Sequence, residues 1–342
     1  MSQDVTAGSG LLRHYYFAVG PLVLVESHEL ETKLSEDLRI RHMLKDDIRL
    51  TSLEEPFYWG VSHVIEFVKG PFTEAPMVFD RDLEALSKES INDVITSLRL
   101  FSGTVVFCPF IESRAVTEKI DIWKRLDDLK TRRGPAINPQ TLLRRDFVDF
   151  WKFYTSVDKP GYLARAIHRF NIAIERQPLA DSLIDSFTGL ESIFLRDNKE
   201  LSYRLANRAA TLLAPSQERR EVFKELKDGY NVRSAITHGS DWTGKEVRGK
   251  KVSIERLTGT ILSYLRISIL ACLSFEKSTG KPRKHFDPAD LDGILLGDPW
   301  LADLAKTIAN LQMIYVVCPT CLATTESALL YCTVCGHILV SP

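Results

Sequence analysis

The sequence predicts a mainly α-helical protein with a mixed α/β region at its N-terminus and a small cysteine-containing unit at its C-terminus. Between about residues 160 and 275, apolar residues recur at three- and four-residue intervals, which is the periodicity of amphipathic helices. Short extended runs broken by glycine and proline mark residues 1–80. Four cysteines are grouped near the end of the chain.

The composition is that of an ordinary globular protein. The chain has 342 residues, of which 44% are hydrophobic and 26% charged, and its formal net charge is −1. At roughly 100–200 residues per domain, this length predicts two or three domains. A net charge near zero gives no overall attraction to nucleic acid or membrane, so a basic site must be local.

The cysteine pattern and the hydropathy of the chain indicate the cellular compartment. Two of the six cysteines, Cys108 and Cys272, are isolated, and the other four form the terminal group, which is not a disulfide framework. This predicts a reducing, cytoplasmic setting. No uninterrupted apolar run approaches the ~18–20 residues that span a bilayer, so no membrane partner is expected.

The periodicity predicts four regions: a mixed α/β region at 1–145, a helical bundle at 146–280, a linker with a short helix at 281–313, and the four-cysteine unit at 314–342. In the first region we predict strands, a helix and a polar loop. The strands are Tyr15–Val19, Leu22–Val25, Phe57–Val61, Val64–Val68 and Thr104–Cys108, with a turn at Gly20–Pro21; the helix is Asp82–Phe101 and the loop Asp127–Pro139.

The bundle is predicted from a run of helices with short connections, which favour antiparallel neighbours. Ile254–Phe275 is apolar on most sides and is expected at the centre. Trp300–Leu311 is a further short helix. The bundle helices are Asp146–Tyr154, Tyr162–Arg176, Asp181–Phe194, Leu201–Leu213, a helix from the N-cap Ser216 to Gly239, and Ile254–Phe275.

Arg233 and His238 are the side chains best suited to handle a phosphate. Arginine offers a fixed fork of donors to phosphate oxygens, and histidine moves protons near neutral pH. Five residues apart on a helix, the two point about 140° away from each other. Gly239 is a natural end for the helix. The spacing alone favours a structural interpretation, in which the arginine pairs with a neighbouring helix and the histidine caps its own helix.

A basic loop follows this helix. It contains Trp242, Lys245, Arg248, Lys250 and Lys251. Beside a phosphate-handling groove, these residues would guide an RNA backbone, with the tryptophan stacking on a base. A solvated surface loop is the alternative.

The terminal cysteines have the spacing C-x2-C-x10-C-x2-C. Each pair grips one metal ion, and two pairs complete a tetrahedral four-thiolate site, so a structural zinc ribbon is predicted; iron in a rubredoxin-like site is the alternative. The metal would stabilise a unit too small to fold on its own core. The unit contains no lysine or arginine, which argues against a strong grip on phosphates. The ligands are Cys318, Cys321, Cys332 and Cys335.

Residues from about 160 to 275 resemble the HEPN family (higher eukaryotes and prokaryotes nucleotide-binding domain), in its Apea-like branch. Leu190–Phe194 matches the end of the family's second helix. Leu201–Leu213, with Arg204 and Arg208, matches the third, and Tyr230–Gly239 matches the closing tyrosine, arginine-serine and histidine-glycine signature.

The resemblance implies a helical bundle that forms a homodimer, so that two arginine–histidine pairs face each other across a groove. Many such domains are metal-independent endoribonucleases that act as toxins or antiviral effectors. His238 would assist attack of the RNA 2′-hydroxyl or protonate the leaving oxygen, and Arg233 would stabilise the phosphate charge. Ser234 follows the arginine, as in many Apea-like members, where many active ribonucleases have Asn, Asp or His.

Three residues are expected to support this site. Glu191 and Arg208 are predicted to pair between helices and hold the groove in shape. Tyr230 lies three residues before Arg233, on nearly the same face, and is expected to pack.

Other functions stay open. The alternative to a nuclease is a non-catalytic RNA- or protein-binding module, and nucleotide sensing or modification is a third possibility. The N-terminal region or the zinc ribbon would bind a protein partner.

Overall fold

The computed structural model shows a mainly helical chain with an N-terminal antiparallel sheet, as predicted. It describes residues 14–23, 25–26, 31–43, 61–72, 80–103, 106, 108, 110–116, 121–128, 141–142, 147–197, 199–214, 218–243, 245–247, 249–251, 253–278, 286–299, 302–303, 305–306, 308, 315–317 and 324–326. Within them the strands are β1 (His14–Val23), β2 (Val25–Glu26), β3 (Glu31–Lys33), β4 (Leu38–His42), β5 (Val61–Phe72), β6 (Phe110–Val116), β7 (Asp121–Asp128), β8 (Thr141–Leu142), β9 (Glu246–Val247), β10 (Lys250–Lys251), β11 (Tyr315–Val317) and β12 (Thr324–Glu326). The helices are α1 (Arg81–Ser102), α2 (Phe147–Ser156), α3 (Gly161–Glu175), α4 (Leu179–Phe194), α5 (Leu201–Leu213), α6 (Arg219–Thr237), α7 (Ile254–Ser278) and α8 (Ala289–Leu295).

A six-stranded antiparallel sheet forms the first compact unit, with strand order β3-β4-β5-β1-β6-β7. Helix α1 packs against β1 and β5. Its buried face includes Ile91, Val94 and Leu98, each fully excluded from solvent. The Tyr16 and Ser87 hydroxyls share a hydrogen bond of 3.1 Å between sheet and helix.

The predicted turn at Gly20–Pro21 is wrong, because β1 runs through both residues. Pairing of β1 with β6 covers Tyr15–Val19, so Pro21 lies beyond it and its missing N–H breaks no bond to β6. Gly20 allows a close approach: a Cβ there would lie 3.0 Å from the Cys108 Sγ. Here the glycine allows close packing against Cys108, and the proline lies where β1 no longer pairs with β6. Neither residue forms the turn that we predicted.

The chain after α1 also differs from the prediction. Val106 and Cys108, inside the predicted strand Thr104–Cys108, are not in a strand, and the strand instead begins at Phe110. The Val106 carbonyl accepts hydrogen bonds from the Arg99 guanidinium at 2.8 and 2.9 Å. Strand β7 was not predicted, and its last two residues fall in the predicted loop.

The helices α3 to α7 form the core of the second unit, within three residues of the predicted ends where those ends are described. Helix α4 packs against α3, α5, α6 and α7. A Cβ on Gly189 of α4 would lie 2.6 Å from the Leu265 side chain of α7, so this glycine allows the two helices to approach closely. Ser216, the predicted N-cap of α6, lies outside the described residues.

Helix α7 departs from the expectation that no segment of the chain is long and apolar enough to span a bilayer. Ile254–Lys277 is long and apolar enough to cross a membrane, with a mean hydropathy of 1.5. In this structure 78% of that window is buried, against α3, α4, α5 and α6. That burial is the pattern of a central core helix, the position predicted for it.

Three smaller features complete the second unit. Part of the basic loop after α6 is a two-stranded hairpin of β9 and β10. Helix α8, which was not predicted, lies within 281–313, the region predicted as a linker with one short helix. The predicted helix Trp300–Leu311 is helical at residues 302–303, 305–306 and 308.

In the C-terminal unit the described residues form an antiparallel pair, β11 with β12. The four predicted metal ligands lie outside the described residues. The boundary between the two compact units falls after Lys152, within α2, whereas the sequence placed it at 145.

Candidate functional site

An open cleft of about 940 Å³ lies among α3, α4, α6 and the segment before α8. Of the residues predicted for the site, Glu191, Tyr230 and Arg233 line it. It is bounded by Tyr162, Arg165, Thr188, Glu191, Ser192, Leu195, Arg196, Asp197, Leu201, Tyr230, Arg233, Phe286 and Asp287.

Helix α6 carries Tyr230 and Arg233 three residues apart, and hence on one face. Tyr230 is 8% exposed, and its ring meets Phe187 of α4 edge-on at a centroid distance of 5.5 Å. Gly229 lets α6 come near α4, since a Cβ there would meet the Phe187 ring at 3.2 Å. This close packing brings the Tyr230–Arg233 face of α6 to Glu191.

Glu191 of α4 joins the two α6 side chains. The Tyr230 hydroxyl donates to Glu191 Oε1 at 2.8 Å, and the Arg233 Nη2 lies 3.5 Å from Oε2. Burial and this hydrogen bond raise the pKa of Tyr230 to about 12. The Arg233 guanidinium also lies over the Tyr230 ring, 5.3 Å from its centroid. Tyr230 is therefore both packed and hydrogen-bonded.

Arg233 keeps donor capacity. Its ion pair with Glu191 is long, and its buried Nε has no hydrogen-bond partner within the described part of the chain. Its side chain is 21% exposed. A buried donor without a partner costs about 1–3 kcal/mol, and the exposed part of the guanidinium faces the cleft that Arg233 lines. The arrangement suits a phosphate or carboxylate oxygen.

The acidic residues of the cleft already have internal partners. Asp197 accepts from Arg204 at 2.5 Å, and Asp287 accepts from the Ala289 backbone N–H at 2.9 Å. Arg165, by contrast, is exposed, and its side chain forms no hydrogen bond or ion pair with any described residue. The cations therefore retain more free hydrogen-bonding capacity than the acids.

Two cleft arginines were not predicted as site residues. Arg165 lies three residues after Tyr162 on α3, and nothing in its spacing separates it from a solvent-facing arginine. Arg196 donates to the carbonyls of Ser192 and Leu195 at the end of α4, at 2.9 and 3.1 Å. Its guanidinium lies 5.0 Å from the Tyr162 ring centroid. A basic residue just after a helix is a signal for such capping.

His238 stands apart from the cleft. It is the exposed C-cap of α6, and its backbone N–H donates to the Ser234 carbonyl at 3.0 Å. Gly239 has φ 68°, and hydrogen bonds from Gly239 to Ile236 and from Ser240 to Ala235 close the helix in a Schellman motif. The predicted helix end is therefore correct. One chain does not bring Arg233 and His238 together.

Arg208 has a different partner from the one predicted. It is 2% exposed and donates to both Asp292 oxygens and to the Phe194 carbonyl, at 2.6 to 3.1 Å. The predicted Glu191–Arg208 pair is wrong, because Arg208 pairs with Asp292 of the unpredicted helix α8. Arg208 fixes α8 to α5, outside the cleft lining.

The basic loop does not line the cleft in its described part. Trp242 and Lys245 are half-buried, and the Lys245 backbone N–H donates to the Trp242 carbonyl at 3.0 Å. Lys250 and Lys251 form β10, and Arg248 lies outside the described residues. Their role toward RNA stays a prediction.

No family model, curated protein or solved structure matches this chain. The described residues contain no group of three or more His, Cys, Asp or Glu side chains that would hold a metal ion. The described strands β11 and β12 flank the segment that contains Cys318 and Cys321, and Val317 pairs with Thr324.

Proposed function

We propose that this chain is a metal-independent endoribonuclease whose catalytic site is composed from two copies of the chain. Arg233 of one copy holds the RNA phosphate, and His238 of the other transfers the proton. The observation that carries the proposal is the placement of Arg233, which lines an open cleft with its side chain 21% exposed, while His238 is exposed at the end of the same helix.

The proposed chemistry balances without a metal. The RNA 2′ oxygen forms a bond to phosphorus, the bond to the 5′ oxygen breaks, and the products are a cyclic phosphate and a 5′-hydroxyl. His238 takes the proton of the 2′-hydroxyl or gives one to the leaving oxygen. Arg233, with Arg165 beside it in the cleft, stabilises the charge that develops on the phosphate oxygens.

The geometry of α6 supports a site that is shared between two copies. Residues 233 and 238 point about 140° apart on a helix, and His238 is not among the cleft-lining residues. A two-fold related copy would contribute its His238 to the first copy's cleft and receive the same in return.

A non-catalytic RNA- or protein-binding module is the second candidate. Glu191 favours it, because a carboxylate 3.5 Å from the Arg233 guanidinium competes with an incoming phosphate. Under this candidate the cleft binds an anionic group without cleaving a bond.

Cleavage of total RNA by the purified full-length chain in EDTA separates the two. We expect the wild type to cleave, and Arg233→Ala and His238→Ala each to lose about 100-fold or more in rate. Arg256→Ala and His168→Ala, which alter exposed residues outside the cleft, serve as matched controls and should retain activity. Absence of cleavage by the wild type, together with Arg233-dependent RNA binding, would favour the second candidate.

We also propose that Cys318, Cys321, Cys332 and Cys335 hold a structural zinc ion. The strand pair β11–β12 supports this, because it brings together the two ends of the segment with the first cysteine pair. Elemental analysis of the purified chain should give one zinc per chain, lost in Cys332→Ser. One iron per chain with a visible thiolate absorption would contradict it.

The cellular role that fits such a nuclease is a cytoplasmic toxin or antiviral effector. The N-terminal unit or the zinc ribbon would then bind the partner that controls it. Growth arrest on expression of the wild type, absent with Arg233→Ala, is the expected result; equal arrest with both would contradict the role.

A further inference from the structure

A second groove, of about 320 Å³, lies among α5, α6 and α8 and shares no lining residue with the cleft. Four large apolar side chains are strongly exposed in the described part of the chain, and three of them are at or beside this groove. Tyr203 is 52% exposed, Leu295 39% and Leu296 88%. Phe223 lies on the groove wall, edge-on to Tyr203 at 5.6 Å. Apolar surface concentrated in this way marks an interaction site.

The α6 wall of the groove is basic. Arg219 and Arg220 line it together with Phe223, and the Lys227 Nζ lies 5.9 Å from the Phe223 ring centroid. At 100° per residue these four positions fall within an arc of about 100° on the helix. The acidic residues at positions 221 and 228 point about 140° or more away from Phe223.

Arg219 has no counter-ion among the residues that the structure describes. Its Nε donates to the Ala214 carbonyl at 3.2 Å, and no described carboxylate lies within ion-pairing distance of it. Burial lowers the pKa of this guanidinium, with no compensating acid. Arg220 beside it is exposed and likewise pairs with no described residue. Acidic groups of a partner would neutralise the charges of Arg219 and Arg220.

We propose that this groove docks a segment of a partner protein in which apolar side chains are flanked by Asp or Glu. The apolar side chains would cover Tyr203, Phe223 and Leu295, and the carboxylates would meet Arg219 and Arg220. This surface is independent of the nuclease proposal.

Two other occupants fit the groove less well. An RNA backbone would meet the arginines but leave Leu295 and Leu296 against water. A second copy that used the same face about a two-fold axis would bring its basic α6 wall, with Arg219 and Arg220, toward the same basic wall of the first copy, and like charges at an interface are unfavourable.

Selection of a random-peptide display library on the full-length chain tests the proposal. We expect the enriched peptides to combine apolar residues with Asp or Glu. In fluorescence anisotropy, Tyr203→Ala and Arg220→Glu should each weaken binding of such a peptide about tenfold or more. Arg256→Glu makes the same charge change at an exposed position of α7 and should leave the affinity unchanged. A peptide with Lys in place of its acids should bind Arg220→Glu more tightly than wild type.

Several results would overturn the proposal. They are the absence of any enriched peptide, enrichment of neutral or basic peptides, and affinities insensitive to Tyr203→Ala and Arg220→Glu. Displacement of the bound peptide by single-stranded RNA would assign the groove to nucleic acid. A dimer in size-exclusion chromatography with light scattering that dissociates in Leu296→Glu would assign it to a second copy. Circular dichroism of each variant establishes that it is folded.

Discussion

Arg233 is held in place by neighbours that leave part of its guanidinium free. The Arg233 guanidinium lies over the Tyr230 ring, and its Nη2 lies 3.5 Å from the Glu191 carboxylate. Because the Glu191 carboxylate also accepts from Tyr230, its own position is fixed by α6. An arginine prearranged in this way loses less conformational entropy when an anion binds.

Tyr230→Phe tests the hydrogen bond to Glu191 through pH. The folded-state pKa of Tyr230 is raised from 10.0 to about 12, so its neutral form stabilises the fold fully below pH 10. That contribution falls as the pH rises from 10 to 12, because the unfolded chain releases the proton first. In urea unfolding at pH 9 and pH 11, the wild type should lose more stability than the variant over this interval. Equal losses would show that Tyr230 ionises normally.

The contact between α4 and α7 depends on Gly189. A Cβ at this position would lie 2.6 Å from one Leu265 methyl carbon and 2.9 Å from the other. Overpacking costs about 1–3 kcal/mol, and the better helix propensity of alanine offsets about 1 kcal/mol of it, so Gly189→Ala should destabilise the protein by up to about 2 kcal/mol. Gly259→Ala is the control on α7, where a Cβ meets nothing within 4 Å. It should be neutral or stabilising by up to about 1 kcal/mol. Urea midpoints measure both, and equal effects would contradict tight α4–α7 packing.

The helices were predictable from the sequence because the apolar repeat that defines a helix is local. Leu201–Leu213 has the predicted bounds. The strands were harder to predict from the sequence. Strand β6 is held by pairing with β1, which is distant in sequence, and with β7, which pairs with an irregular register. It buries Glu112 and Ser113 beside its apolar residues, so no alternating pattern marks it. Helix α8 was missed because it is short and because its ion pair with Arg208 joins residues that are far apart in the sequence.

The candidate site was predictable in part, for the same reason. Arg233 and His238 stood out by side-chain chemistry, and their divergence followed from helical geometry alone. The partner of Glu191 was not predictable, because it depends on which faces of α4, α5 and α6 meet in the packed unit. Arg165 enters the cleft through the packing of α3 against α4, which no local pattern records.

Taken as a whole, the chain presents a cleft that holds Arg233 and a separate helix end that exposes His238. If two copies complete each other, each site takes Arg233 from one chain and His238 from the other. The inactive variants Arg233→Ala and His238→Ala then differ in which half of the site they lack. A mixed dimer of the two variants carries one intact site and one site that lacks both residues.

Subunit mixing of Arg233→Ala with His238→Ala, assayed by RNA cleavage in EDTA, therefore tests whether the site is shared between chains. Each variant alone should be inactive. After co-refolding in equal amounts, the rate should return to about a quarter of wild type, because half the two-fold dimers are mixed and each retains one of two sites. Mixtures that stay inactive while wild-type dimers cleave would show that Arg233 and His238 do not act across the two chains.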